Sequence, residues 1–391
     1  MLAAKVQESP LFRPELQGLP SMLRARGLRR VRPWLDRAST RLNARVPVLE
    51  AVLTKLDPTL SLCRILARVV AVKDETHDVK TFVLKPNARF GAYRPGSYVT
   101  LHLTIAGQRV QRSYSLSTPP GNDGLIAITV KRVPGGVVSN HLADVLAPGD
   151  VLELSAPAGQ FVLAAKAPER LLMISAGSGI TPVMSMLREL VRTGSNTAIT
   201  FLHFARTPED VIFASELRDI AERAPNVKLV VCVEDADESW KGLRGRFSAD
   251  LLGGALPEFR DADTYLCGPS GFMKAVLEAF AKSGADLSKL RYERFSADFD
   301  AGAFLEHAHV VKFLRAGVEA LSNRPLTVLQ EAESRGVRVE TGCRAGTCGT
   351  CRCRKRSGVV FNLATGQESG PNEEMIYPCV SIARGTVEVE L

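Results

Sequence analysis

The stretch Cys343-Arg-Ala-Gly-Thr-Cys348-Gly-Thr-Cys351 decides the fold of the last part of this chain. Its spacing is C-x4-C-x2-C, and a fourth cysteine, Cys379, follows at a distance. With this spacing four thiolates converge on the two irons of a [2Fe–2S] cluster. Glycines between the cysteines let the loop wrap closely and point backbone amides at the sulfides. We expect these four cysteines to be iron ligands.

Two alternatives for this loop are a zinc site and unligated thiols. Zinc sites usually carry two C-x2-C pairs, and that spacing occurs once here. Cys63, Cys232 and Cys267 lie far apart along the chain, which argues against a secreted disulfide scaffold. Cys353 has no place in the pattern, and we expect it to pack near the loop without binding metal.

The sequence around the loop predicts a small α+β domain over residues 309–391. Apolar and β-branched runs predict strands at 310–314 and 386–391, with a helix at 327–335 between them. Residues 296–308 carry few β-branched side chains and predict a linker.

Strands alternate with helices over residues 165–295, which predicts a parallel sheet with crossover helices. The turn Ala176-Gly-Ser-Gly-Ile-Thr-Pro182 follows a buried-type strand and opens a helix. A second turn, Cys267-Gly268-Pro269, also lies between a strand and a helix. Both turns fall at the carboxyl edge of the sheet, where ligands bind and helix N-termini attract phosphates.

Residues 62–164 contain short strands of period two, separated by turn residues, and predict a β-barrel. One strand ends in Arg112-Ser-Tyr114-Ser115, which offers a cation, an aromatic ring and a hydroxyl. A glycine turn, Gly135-Gly136-Val-Val138-Ser139, precedes a helix and can present backbone amides to a phosphate.

Residues 1–61 predict a basic helical extension. The first 60 residues hold 11 Lys and Arg against 5 Asp and Glu, so most of the net charge of +8 belongs to them. A basic amphipathic segment suits an anionic membrane face; the alternative is a helical strap packed on the barrel. Because the excess charge is confined to one segment, nucleic acid is not an expected partner.

Composition excludes several classes of protein. Hydrophobic residues make up 45% and charged residues 24%, which is typical of a globular chain and not of a disordered or coiled-coil one. No apolar run approaches the roughly 18 residues of a spanning helix, and no secretory signal is recognisable. We expect a cytoplasmic protein, with peripheral contact at the inner membrane face as the alternative.

Taken in order, these motifs resemble the ferredoxin–NADP reductase superfamily. Within it, they are most similar to the branch that joins flavin, nicotinamide and plant-type [2Fe–2S] ferredoxin domains in one chain. The resemblance implies a multidomain fold with an antiparallel Greek-key β-barrel over 62–164, an α/β parallel-sheet nucleotide domain over 165–295 and an α+β β-grasp ferredoxin domain over 309–391. It leaves the helical extension at 1–61 unexplained.

The resemblance also implies site residues. At the flavin it implies Arg112, Tyr114 and Ser115 beside the ring, and Gly136, Val138 and Ser139 around its phosphate. At the dinucleotide it implies Gly177, Gly179, Thr181, Pro182, Gly268 and Pro269, with Cys267 beside the nicotinamide. Phe295 closes the stretch Tyr292-Glu293-Arg294-Phe295, which resembles the family's acidic-then-aromatic segment, and the resemblance implies that it covers the flavin ring until nicotinamide displaces it. Its alternative is a buried core phenylalanine. Ser115, Cys267 and Phe295 are the expected catalytic residues.

The expected cofactors are FAD, a [2Fe–2S] cluster and NADPH. Arg206 ends the second strand of the nucleotide domain, where a cation favours a 2′-phosphate and an acidic residue would favour NADH. NADH stays the alternative. FAD is preferred to FMN because the glycine–serine turn at 135–139 can cradle a pyrophosphate.

The implied activity is transfer of electrons from NADPH through FAD and the cluster to an external protein. The N-terminal segment most resembles reductases that serve membrane fatty-acyl desaturases, so a desaturase is the expected acceptor. The alternatives are the reductase of a soluble oxygenase and, from another class, a redox sensor that binds a partner without turnover.

Five basic residues surround the cysteine loop, and no acidic residue occurs between 343 and 356. They are Arg344, Arg352, Arg354, Lys355 and Arg356. This basic rim predicts a docking face for an acidic acceptor or for a protein at an anionic membrane, since charges at a rim act on encounter rate and orientation. The alternatives are a solvated charged run that contacts nothing and arginines that only raise the potential of the cluster.

Overall fold

The computed structural model describes residues 46–255, 259–295, 309–324, 326–342, 344, 346, 349–365 and 367–391. Within these ranges the chain forms three sheets that follow one another along the sequence. The helices, in chain order, are α1 Val46–Leu56, α2 Val137–Val145, α3 Ile180–Arg192, α4 Ala214–Arg223, α5 Ala249–Ala255, α6 Ser270–Ser283 and α7 Val328–Ser334. Residues 1–45 and the predicted linker at 296–308 lie outside the described residues.

The first sheet is the predicted antiparallel Greek-key barrel, and it is confirmed. Its strands are β1 Ile65–Thr76, β2 Val79–Pro86, β3 Tyr98–Ile105, β4 Gln108–Ser115, β5 Ile126–Lys131 and β6 Val151–Leu154. They run in the order β4-β3-β6-β1-β2-β5, and a bridge between Leu116 and Ile128 joins the two outer strands. Alternating side chains such as Phe82 and Leu101 fill the interior and are fully buried.

Helix α1 is attached to the start of the barrel. A carboxylate oxygen of Glu50 accepts a hydrogen bond from the backbone N–H of Leu62 at 2.8 Å. Asp57, just after the helix, pairs with Arg68 on β1 at 3.0 Å. For this part of the extension the contacts are those of a strap on the barrel. Among the described helices, none has the length and apolar character needed to cross a membrane.

The second sheet is parallel, as predicted. Its strands are β7 Arg170–Ala176, β8 Ala198–Ala205, β9 Val227–Val233, β10 Leu243–Arg244, β11 Asp263–Cys267 and β12 Leu290–Glu293, in the order β10-β9-β8-β7-β11-β12. Met173 and Phe201 point into one core, and Leu172 and Leu202 into the other. The central strands therefore read as continuous apolar runs, because both of their faces are covered.

One predicted helix of this domain is split. The sequence predicts a single helix over 208–223, but the chain forms a 3-10 turn at Pro208–Asp210 and then α4. Phe213 separates the two with φ of 60°, in the left-handed region that interrupts a right-handed helix.

The third sheet supports the cysteine loop. Its strands are β13 His309–Phe313, β14 Val318–Ser322, β15 Cys353–Asn362, β16 Gln367–Glu368, β17 Glu374–Ile376 and β18 Ser381–Val389. Helix α7 packs on it and starts with a capping box between Thr327 and Gln330, which satisfies two backbone donors. This α+β arrangement confirms the predicted ferredoxin-type fold.

Candidate flavin, nucleotide and iron–sulfur site

Three polar side chains from the barrel and the parallel sheet meet at one place. Cys267 and Glu293 end the neighbouring strands β11 and β12 in direct register. The hydroxyl of Ser115, at the end of β4, donates to a carboxylate oxygen of Glu293 at 3.4 Å. The predicted residues Ser115 and Cys267 are thus brought together through Glu293, which the resemblance marks only as the acidic residue of the stretch before Phe295.

Cys267 is a neutral thiol in this setting. Its side chain is completely buried, and burial, assisted by the nearby charge of Glu293, raises the pKa of the thiol well above its usual range. A thiol of this kind packs against a neighbour and does not act as a nucleophile, because the thiolate is the reactive form.

Arg112 and Tyr114 flank this place on β4. Burial raises the pKa of Tyr114 to about 12, so the phenol keeps its proton. Burial, and then the charge of Arg344 from the cysteine loop, lower the pKa of Arg112. Arg112 donates to the backbone carbonyl of Gln111 at 2.8 Å and lies within electrostatic reach of Arg344 in the cysteine loop and Glu333 on α7.

Helix α2 begins without a side-chain cap. Gly136 is its N-cap and has no side chain to bond the first turn, which leaves backbone N–H groups for an anion. A Cβ on Gly136 would lie 2.6 Å from the hydroxyl oxygen of Ser139, so a larger residue here would have to displace the Ser139 side chain. Val138 is 2% exposed and packs in the barrel core, so it can offer a phosphate only its backbone.

Two further helices start uncapped at the carboxyl edge of the parallel sheet. Gly179 precedes α3 and Pro269 precedes α6, and neither has a side-chain cap. A Cβ on Gly179 would lie 2.3 Å from the carbonyl oxygen of Cys267, so the two predicted turns touch each other. Thr181 donates to the carbonyl of Ser178 at 3.0 Å, which closes the first turn.

Arg206 lies at the carboxyl end of β8 and is exposed. Its carbonyl accepts from the N–H of Asp235 at 2.7 Å, so the backbone is fixed while the guanidinium faces solvent. The ends of β9 and β10 carry an ion pair between Glu234 and Arg246 at 2.9 Å and another arginine, Arg244. Sequence reasoning missed these two arginines, because β10 has only two residues.

Phe295 follows β12 and is 39% exposed. Exposure of this size excludes the alternative of a buried core phenylalanine. The neighbouring Tyr292 is also exposed, with the guanidinium of Arg294 5.3 Å from its ring centroid.

The cysteine loop is only partly described. Cys343 and Cys348 lie outside the described residues. Cys351 and Cys379 are both 5% exposed and belong to one buried cluster. Arg344, Gly346 and Gly349 all have positive φ, which curls the chain, and a Cβ on Gly346 would lie 2.8 Å from Val380.

The side chain of Cys353 lies in a different hydrophobic cluster from those of Cys351 and Cys379. It belongs to the main core of the third sheet and not to the cluster that contains Cys351 and Cys379. Burial raises its pKa to about 12, which keeps the thiol protonated.

Comparison with known proteins agrees with this order of sites. A model of the oxidoreductase FAD-binding domain matches residues 66–163, one of the oxidoreductase NAD-binding domain matches 173–278, and one of the 2Fe-2S iron-sulfur cluster binding domain matches 312–384. An NADPH oxidoreductase of Mycobacterium tuberculosis is 35% identical over 339 residues, which is 86% of each chain. The chain belongs to the ferredoxin–NADP reductase family. It lies in the branch fused to a [2Fe–2S] domain.

Two further relatives share most of this reductase's length. A glycine betaine monooxygenase reductase subunit of Chromohalobacter salexigens is 34% identical over 348 residues, covering 83% of this chain and 94% of that protein. The solved structure of phthalate dioxygenase reductase covers 84% of this chain and 98% of its own, with a TM-score of 0.59 and 23% identity. The second similarity shows the shared fold.

The residues present fit the three cofactors of the family. The matched domains assign FAD, NAD(P)H and a [2Fe–2S] cluster to this reductase, which makes it an NAD(P)H-dependent flavin and iron–sulfur oxidoreductase. Close-fitting glycine turns before uncapped helices suit phosphates, and buried thiols such as Cys351 and Cys379 suit irons. The comparisons give no support to the expected desaturase.

The basic rim of the reductase differs from its prediction. Lys355 is fully buried, and its ammonium donates to the carbonyls of Gly358, Gly370 and Asn372 at 2.8, 2.9 and 2.6 Å. The expectation that Lys355 contributes to a docking face is wrong, because its buried ammonium is bonded to carbonyls and cannot contact a partner. Instead Lys355 ties its own strand to the segment 358–372 and acts as a structural tether. Arg354 and Arg356 both pair with Glu373, and Arg356 also pairs with Glu390, so carboxylates from later in the chain offset the charge of these two arginines.

Proposed function

We propose that this chain is the reductase component of an oxygenase system and passes electrons from NADPH through FAD and the [2Fe–2S] cluster to the oxygenase. The observation that carries the proposal is the meeting of Ser115, Glu293 and Cys267 at the boundary between barrel and parallel sheet. The partner is inferred from relatives, because the glycine betaine and phthalate proteins are named as reductases of oxygenases.

The chemistry that a bound flavin would supply is hydride acceptance followed by release of single electrons. The chain supplies the surroundings for that chemistry. Ser115 and Glu293 form a hydrogen-bonded pair that holds a proton beside the flavin site. Cys267, a buried neutral thiol, would form an uncharged wall for the nicotinamide, and the exposed Phe295 would cover the flavin ring while the nucleotide is absent.

Helix N-termini and turns would hold the phosphates. Backbone groups around Gly136, Val138 and Ser139 would bind the flavin pyrophosphate, and Arg112 and Tyr114 would contact the flavin itself. A second set binds the nicotinamide dinucleotide: Gly177, Gly179, Thr181, Pro182, Gly268 and Pro269. Uncapped first turns support both assignments.

NADPH is the proposed donor. Arg206 has an anchored backbone and an exposed guanidinium at the strand end where the adenosine ribose is read. The Mycobacterium tuberculosis relative is named as an NADPH oxidoreductase, which agrees with this choice.

The cluster is the proposed exit, with Cys343, Cys348, Cys351 and Cys379 as ligands. The charge of Arg344 acts on Arg112, which supports a cysteine loop close to the flavin strand and therefore a short path. The proposed domains are 62–164 for the flavin, 165–295 for the nucleotide and 309–391 for the cluster.

The acceptor can be tested directly with the full-length holoenzyme. NADPH oxidation is measured with individually purified soluble oxygenase components of the same organism, and separately with washed membranes supplied with acyl chains. We expect NADPH oxidation coupled to substrate consumption with an oxygenase component. Coupling confined to the membranes would support a desaturase instead, and slow oxidation with every acceptor, including cytochrome c, would support a sensor.

A further inference from the structure

Arg188, on α3, is a buried cation that none of the assigned cofactor sites uses. Its side chain is 9% exposed. Its Nε and Nη2 atoms donate to the two carboxylate oxygens of Glu216 on α4 at 2.8 and 2.6 Å. Its Nη1 atom donates to the backbone carbonyl of Ser117 in the barrel. One planar guanidinium therefore joins the parallel-sheet domain to the flavin barrel.

The barrel end of this connection is rigid. Ser117 follows β4, two residues beyond Ser115, and is fully buried. Its backbone N–H donates to the carbonyl of Ala127 at 2.8 Å, and its hydroxyl accepts from Thr129 at 3.0 Å. The carbonyl that Arg188 holds cannot move without the strand that carries the flavin-side serine.

The other end of the connection leads to the dinucleotide turn. Helix α3 starts at Ile180, directly after the turn Gly177–Gly179. Arg188 lies eight residues further along, roughly 12 Å at 1.5 Å per residue. Met184 and Leu187, which neighbour it on the helix, are fully buried against the sheet. The helix therefore moves as one unit with the turn.

The strained residue Phe213 packs against the guanidinium of Arg188. Phe213 has φ of 60° although it carries a bulky side chain, and it is 2% exposed. The Cζ atom of Arg188 lies 4.6 Å from the centroid of its ring, which is cation–π geometry. A non-glycine residue persists in this region when its neighbours determine its conformation. Arg188 is held by a carboxylate, a carbonyl and a ring.

We propose that Arg188 is a positioning residue that sets the distance between the flavin ring and the nicotinamide. The inference rests on the proposed function, because it needs both cofactors at the sites assigned above. Transfer requires the reacting atoms about 3–3.5 Å apart, and a misplacement of about 1 Å can slow a reaction a hundredfold. Without the connection between Ser117 and α3, we expect both cofactors to bind but hydride transfer to slow.

The variants must separate positioning from stability. Arg188→Met alone leaves Glu216 buried and unpaired, which destabilises a protein strongly. The double variant Arg188→Met/Glu216→Leu removes both charges and keeps the volume apolar, which restores stability in such pairs. Arg192→Met is the matched control, because Arg192 lies on the same helix and pairs with Glu189 while 52% exposed.

The measurement is anaerobic stopped-flow mixing of the full-length holoenzyme with NADPH, followed by flavin absorbance. In the double variant we expect the flavin to bleach at least about tenfold more slowly. Flavin content, the thermal midpoint of unfolding and the rate of flavin-to-cluster electron transfer after photoreduction should be unchanged. The Kd for NADPH should stay within about twofold. Arg192→Met should bleach at the wild-type rate.

Three results would overturn the role of Arg188: bleaching at the wild-type rate in the double variant, an equal loss in Arg192→Met, or a double variant that loses flavin or fails to fold. The last would show that the pair serves stability or flavin binding. Failure of NADPH to bleach the wild-type flavin would instead refute the proposed function, so the two failures are distinguishable.

Discussion

At the scale of single residues, the predicted cysteine ligands and glycine turns can be recognised from their spacing over a few positions of the sequence. Glu293 is different, because only the register of β11 and β12 places it beside Cys267. Lys355 is also different, since its buried environment comes from carbonyls at 358, 370 and 372, which the local sequence does not reveal. The environments of these two residues depend on distant parts of the chain, and the sequence therefore did not predict their roles.

The ligand assignment predicts which thiols are needed for the cluster. Cys351→Ser and Cys379→Ser should each remove most [2Fe–2S] absorption while the flavin stays bound, because two irons need four thiolates. Cys353→Ser should keep the cluster, since Cys353 lies in the neighbouring core. Visible absorbance and iron content measure both effects. A Cys353→Ser protein without iron would show that the ligand set is wrong.

The nucleotide assignment predicts a selective effect of Arg206→Ala. Charge-assisted hydrogen bonds to a 2′-phosphate are worth about 1.5–3 kcal/mol, so the KM for NADPH should rise about tenfold to a hundredfold. The KM for NADH should change less than about twofold. Ferricyanide reduction with each nucleotide measures this, with Arg218→Ala, an exposed arginine on α4, as control. An equal loss with both nucleotides would remove Arg206 as the discriminator.

At the scale of helices and strands, the period of the sequence predicts the barrel and the parallel sheet. The periodicity does not predict β15, because its first residues, Cys-Arg-Lys-Arg, have the composition of a solvated charged run. Cross-strand pairing overrides that reading, because β18 and β17 bond to β15 from either side. It fails again at 208–223, where Phe213 interrupts a helix that the apolar spacing favours.

The tether at β15 predicts that Lys355→Met destabilises the third sheet. Removing the buried ammonium leaves several carbonyls without a donor and leaves Glu374, 3.2 Å from it, without its cation, which costs on the order of 3 kcal/mol. Arg354→Gln, beside it in sequence, should cost less than about 1 kcal/mol, since its pair with Glu373 is exposed. The temperature at which cluster absorbance is lost measures the difference. Equal midpoints would show that Lys355 is not a structural tether.

The pair Ser175 and His203, on β7 and β8, predicts a pH dependence of stability. The two side chains are fully buried and bonded at 2.9 Å, and burial lowers the pKa of His203 to about 3 from an ordinary value of 6.5. The unfolded chain therefore binds a proton below pH 6.5 that the folded chain does not. The free energy of unfolding should fall by about 1.4 kcal/mol for each pH unit below 6.5, down to about pH 3.

Urea unfolding at pH 7.5 and 5.5, followed by circular dichroism, tests this dependence. His203→Asn keeps a polar group that does not titrate, so its free energy of unfolding should fall by about 1.4 kcal/mol less over this range than that of the wild type. The same pH dependence in both proteins would mean that His203 is protonated in the folded state.

At the scale of the whole molecule, three sheets in one order place a flavin barrel, a nucleotide sheet and a cluster domain along the chain. The order of motifs predicts this arrangement, and the family comparisons confirm it. The sequence does not predict how the barrel and the nucleotide sheet meet. Contacts such as Ser115 with Glu293 and Arg188 with Ser117 join residues 178 and 71 positions apart.

The central claim is that electrons leave through the cluster and not from the flavin. The most direct measurement mixes the holoenzyme anaerobically with one equivalent of NADPH and follows flavin absorbance together with freeze-quench paramagnetic resonance of the cluster. We predict that the flavin bleaches first, that the signal of the reduced cluster follows, and that added oxidised oxygenase component removes it. In Cys351→Ser, the flavin should bleach while the oxygenase component stays oxidised. A cluster that stays oxidised beside a bleached flavin, or an oxygenase reduced equally fast by Cys351→Ser, would contradict the account.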